Sequence, residues 1–227
     1  MALFGLLHLT ILAATVVSAA LLTAMCRRGS LPLKPVCRTL GISLAANELI
    51  WWIYRYSKEG IHARNLPLQL CDVAVWLAVL ACFTDVTALL EPAYFAGLAG
   101  AGMALLTPNL FSPWPTYPAV YFFLAHSGIV ISIAVVIFGG RRTFSSGAVW
   151  RSFGLLLAYA AIVGAFDRVF GADYMFLLRK PDSASALDLM GPWPWYIFIG
   201  AAVALALFWL LWLPVMPDRT DSNASIS

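Results

Sequence analysis

The chain has 227 residues, 62% of them hydrophobic and only 11% charged, with a formal net charge of +3. Soluble domains run near 45–50% apolar and about 25% charged, and a wetted surface cannot hide such an apolar surplus. A soluble globular fold is excluded, and so small a charge with no basic aromatic stripe excludes a nucleic-acid partner.

A helix that spans a bilayer needs about 20 predominantly apolar residues, and seven stretches approach that length. The first, residues 3–26, lacks the basic leader of a secretory signal and, at about 24 residues, exceeds the usual 7–15-residue signal core. Arg27 and Arg28 close it, so it reads as a retained helix. Pro32 and Pro35 precede the second, residues 36–57, the least apolar because it carries Arg38, Asn47, Glu48 and Arg55. Such a helix must turn one side toward other helices. The third, residues 66–88, holds Gln69, Cys71, Asp72, Cys82 and Asp85.

The fourth stretch, residues 92–108, is the shortest, bounded by Glu91-Pro92 and Thr107-Pro108. Small residues recur along it every four positions, Ala93, Gly97 and Ala101 on one line and Ala96, Gly100 and Ala104 on another. Each line lies on one helix face, suited to close packing within the chain first and to a dimer second. Pro108, Pro113, Pro115 and Pro118 then form a stiff connection incompatible with helix. The fifth stretch, residues 117–139, carries His126, and the sixth, 148–170, ends with Asp167 and Arg168. The longest connection, about residues 171–192, leads to the seventh, 193–214. Trp193, Trp195 and Tyr196 at one end of it and Trp209 and Trp212 at the other form an aromatic belt at each interface.

The expected fold is therefore all-α: a polytopic transmembrane helical bundle of about seven helices, one domain over residues 1–216, followed by a disordered polar tail at 217–227. Arg27, Arg28, Lys34, Arg38, Arg141, Arg142, Arg151 and Arg219 fall on one side of such a bundle. Arg55, Lys58, Arg64, Arg168, Arg179 and Lys180 fall on the other. The excess on the first side predicts a multi-pass protein of the cell membrane with its N-terminus outside and its C-terminus inside.

Polar groups within spans are costly and face the bundle interior. Cys71 and His126 stand out among them, because an imidazole beside a thiol can take its proton and stabilise the thiolate as a nucleophile. Both lie near the N-terminal ends of helices that run in the same direction, so they share a side of the membrane. The residues alone leave two readings open: a nucleophile and its base, or a packed cysteine and a histidine bonded between helices. Gln69 and Asp72, three apart, share a helix face and flank Cys71, either orienting His126 or crosslinking helices. Glu48, Asp72, Asp85 and Asp167 also suit a proton or cation path, although the placement of Asp85 and Asp167 at helix ends argues instead for interface positions. His8, His62 and His126 have no metal-ligand spacing, so no metal and no cofactor is expected. The four cysteines form no CxxC pair and no disulfide framework.

The run Asn65-Leu66-Pro67-Leu68-Gln69-Leu70-Cys71-Asp72 resembles the LPLHLC-type signature of the YwaF-like family of integral membrane proteins. So do Tyr94 to Gly100, Leu105 to Leu110, Phe122 to Gly128, Asp173 to Leu177 with Lys180-Pro181, and Gly191 to Tyr196, in order along most of residues 60–200. The family's vertebrate relatives include a membrane acyltransferase that makes ether phospholipids with polyunsaturated chains. A more distant group hydrolyses fatty-acid esters of hydroxy fatty acids with an intramembrane threonine and histidine. The resemblance implies that Cys71 stands at the nucleophile position of the acyltransferase and His126 at its histidine. The chain departs from the family's usual residues in having Gln69 in place of a histidine and Asp167 and Asp173 in place of asparagines.

On this reading the substrates and partners are membrane lipids: Cys71 attacks a lipid ester with His126 as base, and the acyl group passes to a lyso-lipid or to water. Gln69, Asn47 and Asn109 are candidate donors to the developing oxyanion. Asn47, Glu48 and Asp72 are candidates for orienting substrate. The alternative is a carrier or binding protein without covalent chemistry, its polar groups lining a path for a small solute or proton. The acyl donor and acceptor and the oligomeric state are left open.

Overall fold

A computed structural model describes residues 3–110, 112–181 and 185–217. Seven helices carry the fold and no strand occurs among the described residues: α1 Leu6–Arg27, α2 Leu33–Glu59, α3 Leu70–Phe83, α4 Thr87–Leu106, α5 Tyr117–Gly139, α6 Gly147–Phe170 and α7 Trp195–Val215. Five of these, α1 and α4 to α7, are long and apolar enough to cross a membrane. α2 has the length, at 27 residues, and between Arg38 and Arg55 its one charged residue is Glu48. α3 is short: 14 residues rise about 21 Å, less than the roughly 30 Å of a hydrocarbon core.

Local chemistry sets the boundaries. Pro32 and Pro35 fall at the start of α2, where a missing N–H breaks no helical bond. α6 ends on Gly171, whose left-handed φ of 64° suits glycine. The third stretch begins four residues later than expected because residues 66–69 are held in a bent, non-helical course by side chains from α6 and the 171–192 connection, with the Leu68 N–H on the Leu66 carbonyl at 2.9 Å. It ends at Phe83 because Thr84 turns extended and Asp85 swings out to pair with Arg142.

α4 differs from expectation in the other direction. Pro92 does not start the helix but sits inside it, and the chain accommodates the lost hydrogen bond with a π-helical turn over Ala93–Gly97. The turn before Pro92 is retained because it packs on α6. There the buried Glu91 carboxylate accepts two bonds from the Arg151 guanidinium, at 2.8 and 2.6 Å.

Burial separates an inner from an outer ring. Just over half of α4 and α5 is buried, 56% and 61%, against 17% of α1 and 11% of α6 and α7. α5 packs on α1, α2, α3 and α4, and α4 packs on α3, α5, α6 and α7. Gly97 allows close approach here, since a Cβ added to it would lie 2.7 Å from Ile133 of α5. The outer helices present Leu6, Ile162, Val169 and Phe198 outward, a surface only hydrocarbon can solvate. The polar tail expected from residue 217 lies, from 218 onward, outside the described residues.

Candidate functional site

The mouth of α3 is built by hydrogen bonds from three directions. The Asp72 carboxylate caps the helix by accepting the Gln69 backbone N–H at 3.0 Å. Gln69 Oε1 accepts the Met175 N–H at 2.9 Å, tying the 171–192 connection to the residue two before Cys71. Tyr159 of α6 donates to the Leu68 carbonyl at 2.9 Å. Tyr174 donates to the Ala63 carbonyl at 2.8 Å and accepts the Leu66 N–H at 2.7 Å. Burial raises the Tyr174 phenol above its ordinary value, which keeps it a donor.

Beside this clamp lies a carboxylate that pairs with no cation among the described residues. Glu48, fully buried in α2, accepts the Tyr121 hydroxyl at 2.5 Å and the Trp52 indole N–H at 2.6 Å. Trp51 stacks on the Tyr121 ring, centroids 4.3 Å apart. Cys71, half-buried at the second position of α3, lies within electrostatic reach of Asp72, Glu48, Tyr121 and Tyr159. Asp72 follows Cys71 in the first turn of α3, and Glu48, Tyr121 and Tyr159 belong to its electrostatic surroundings.

The two buried histidines are used differently. His8 is bonded at both nitrogens: Nδ1 accepts the Phe4 N–H at 3.0 Å and Nε2 donates to the Leu105 carbonyl at 2.7 Å. It staples α1 to α4. In His126, Nδ1 lies 2.7 Å from the Phe122 carbonyl one turn earlier. A carbonyl cannot donate, so Nδ1 holds the proton and Nε2 of the neutral ring presents its lone pair.

Cys71 and His126 are not hydrogen-bonded to each other, but their helices pack together and converge on one stretch of α4. Leu70, next to Cys71, lies 3.8 Å from the position of a Gly100 Cβ. One turn back, Gly97 faces Ile129 and Ile133, the turns that follow His126 on α5. α4 and α5 are antiparallel, so stepping from Gly97 to Gly100 moves along α5 toward His126.

The remaining candidates divide. Asn47 Nδ2 is buried without a hydrogen-bond partner. Asn109 lies beyond α4 in the proline-rich connection. Asp85 pairs with Arg142 at the far end of the bundle, and Asp167 accepts the Tyr174 N–H at 2.9 Å. Among the described residues no group of three His, Cys, Asp or Glu side chains is arranged to hold a metal.

One family model, that of the TMEM164 family, matches residues 3–212. The chain belongs to the TMEM164 family. With five helices able to cross a bilayer, it is an integral membrane protein. No curated protein and no solved structure matches it.

In this TMEM164-family chain, Tyr121, Tyr159 and Tyr174 are the site residues that inspection of sequence passes over. Tyrosines in apolar runs look like interface or core residues. Their partners lie 73, 91 and 111 positions away. The available signal was Glu48 itself: a carboxylate mid-span requires donors from another helix.

Proposed function

We propose that this protein is a lipid acyltransferase or acyl-ester hydrolase of the cell membrane that works through Cys71 and His126. The supporting observation is the state of His126: buried, its Nδ1–H committed to Phe122, its Nε2 free to accept a proton, on a helix packed against that of Cys71. The resemblance of the Cys71 and His126 motifs to YwaF-like proteins, with their acyltransferase relative, supports the same reading. Transfer requires the thiol to swing within hydrogen-bonding distance of Nε2, a closure that free enzymes commonly leave to substrate binding.

The chemistry balances without a cofactor. Nε2 takes the thiol proton as sulfur bonds to the ester carbonyl carbon, giving a tetrahedral oxyanion. The intermediate collapses with cleavage of the C–O bond, and the imidazolium returns the proton to the leaving lyso-lipid oxygen. A thioester is left on Cys71. A second lyso-lipid hydroxyl, or water, then loses its proton to Nε2 and attacks the thioester, and the departing thiolate recovers that proton. Gln69 suits the oxyanion role best, since its Oε1 is held by Met175 and its amide N–H groups remain to donate. Asn47, with its unpartnered amide, is the next candidate. Glu48, Tyr121 and Asp72 set the field and shape around the sulfur.

The N-terminus is placed outside and the C-terminus inside, which puts the mouth of α3 in the outer leaflet. Eight Lys and Arg residues on the opposite side, against six on this one, support this orientation.

The test is acyl transfer and hydrolysis by purified protein with phospholipids labelled in the acyl chain. Cys71→Ala and His126→Ala are expected to lose activity by at least about a hundredfold. Unchanged turnover in Cys71→Ala removes the proposal. Solute or proton uptake that survives Cys71→Ala but fails in Glu48→Gln or Asp72→Asn identifies a carrier instead.

A further inference from the structure

We propose that the cations at the end of the bundle opposite the mouth of α3 form a binding site for the headgroup of an anionic phospholipid carrying two phosphates. The site is separate from the acyl chemistry proposed above and does not depend on it.

Charge at that end is unbalanced. α1 and α5 end there, and α2 and α6 begin there. Two of the cations they bring are already paired, Arg142 with Asp85 and Arg151 with Glu91. Arg27, Arg28, Lys34, Arg38 and Arg141 are all exposed, and among the described residues none of these five has an ion pair. At the other end Arg55, Arg179 and Lys180 are paired with Glu59, Asp173 and Asp188.

Packing draws the unpaired cations together. A Cβ added to Gly139, the last residue of α5, would lie 3.1 Å from Leu33 of α2 and 3.6 Å from Cys26 Cβ of α1. Arg27 and Arg28 directly follow Cys26, Lys34 follows Leu33, and Arg141 stands just beyond Gly140. Consecutive Cα atoms are about 3.8 Å apart, so four cationic residues start within about 8 Å of chain from one three-helix contact. Arg38 lies one turn beyond Lys34 on the same face of α2. Membrane insertion asks only that the loops on one side be basic. It does not ask that cations from two separate loops meet. Like charges so placed repel one another, and a shared anion reverses the sign.

The backbone of Arg141 is a second observation. Gly140 caps α5, and Arg141 follows it with a left-handed φ of 52°. Helices ordinarily carry glycine at that position. Here the strained place holds an arginine directly after two glycines.

Chemistry and position select the anion. A guanidinium fork matches two phosphate oxygens. A single phosphodiester would leave most of the five cations unpaired, whereas two phosphates engage them. The cluster also stands at the membrane surface. Val17, Leu21 and Arg28 share one face of α1, and Val17 and Leu21 are exposed, 53% and 58%. A headgroup on Arg28 therefore leaves its acyl chains lying along those two side chains.

The full chain, purified in a neutral detergent, is titrated with cardiolipin and in parallel with phosphatidylglycerol at twice the concentration, so that phosphate is matched. Native mass spectrometry counts the bound lipid. Cardiolipin is expected to bind at least about tenfold tighter, because its two phosphates are joined. Arg141→Gly suits the left-handed backbone, so its thermal unfolding midpoint should be unchanged or higher while cardiolipin binding weakens about fivefold. Arg27→Gln combined with Arg28→Gln should weaken it about twenty-fivefold. The control Arg168→Gln removes an exposed cation at the other end and should change nothing.

Cardiolipin bound no tighter than phosphatidylglycerol means diffuse attraction to a basic surface, and overturns the site. So does an equal loss in Arg141→Gly and Arg168→Gln. Displacement of cardiolipin by an equal concentration of inorganic pyrophosphate marks a soluble-anion site instead, and also overturns the proposal. If the double variant fails to fold, Arg141→Gly decides alone.

Discussion

The Tyr121 hydroxyl of α5 donates to the Glu48 carboxylate of α2 at 2.5 Å, and Trp52 donates to the other oxygen at 2.6 Å. Among the described residues no cation is bonded to this carboxylate. Two neutral donors hold it, and both would be stranded if it were removed.

Glu48→Leu is therefore expected to destabilise the protein by about 2–6 kcal/mol, since each of the two buried donors left unpaired costs roughly 1–3 kcal/mol. Glu48→Gln keeps one acceptor and should cost less. Thermal unfolding in detergent measures both. In a double-mutant cycle with Tyr121→Phe the two changes should be non-additive, because the second removes a donor that the first has already stranded. Additive effects would mean that the pair contributes little.

Glycine positions 41 and 200 should respond with opposite sign. A Cβ on Gly41 would sit 2.7 Å from the Phe83 ring and 2.9 Å from Cys82 Cβ, so Gly41→Ala must push α2 away from α3. Overpacking of this kind costs about 1–3 kcal/mol. Gly200→Ala meets open space and should gain up to about 1 kcal/mol of helix stability. Unfolding midpoints of the two variants check the contrast.

Tyr174→Phe removes both hydrogen bonds that hold residues 63–66 against the 171–192 connection. At roughly 0.5–1.5 kcal/mol each, the loss is about 1–3 kcal/mol, and it loosens the mouth of α3. Cys71 should then react faster with a membrane-permeant maleimide than in the wild type. Burial raises this phenol above its ordinary value, so the unfolded chain releases the proton first as pH rises. The clamp's contribution is accordingly complete below the ordinary tyrosine pKa of about 10 and is lost above it.

Hydropathy made the helices legible because lipid imposes a length of apolar chain on each span, and the fifth and sixth stretches match α5 and α6 to within a residue. It failed where tertiary bonds compete with helix formation. Residues 66–69 are apolar enough to continue α3, yet Tyr159, Tyr174 and Met175 hold them out of the helix from more than 90 positions away. Pro92 looked like a boundary, since a proline breaks one helical bond, and a π turn absorbed that loss locally. At the site, Cys71 and His126 were visible as costly groups in apolar runs. Their surroundings were not, because a tyrosine's hydrogen-bond partner leaves no trace in its own neighbourhood of sequence. Gln69 illustrates the limit: its sequence allowed either orienting His126 or crosslinking, and its bond to the Met175 N–H, 106 positions away, could not be read from its neighbours.

The central claim is that Cys71 carries the acyl group. Wild-type protein mixed with a radiolabelled acyl phospholipid and quenched in acid should yield a Cys71 peptide heavier by one acyl chain, with the bond cleaved by neutral hydroxylamine as a thioester is. His126→Ala should slow its formation by about 10²–10⁴-fold. Turnover of the lipid with no acyl adduct on Cys71, under conditions where Cys71→Ala turns over equally well, contradicts the account.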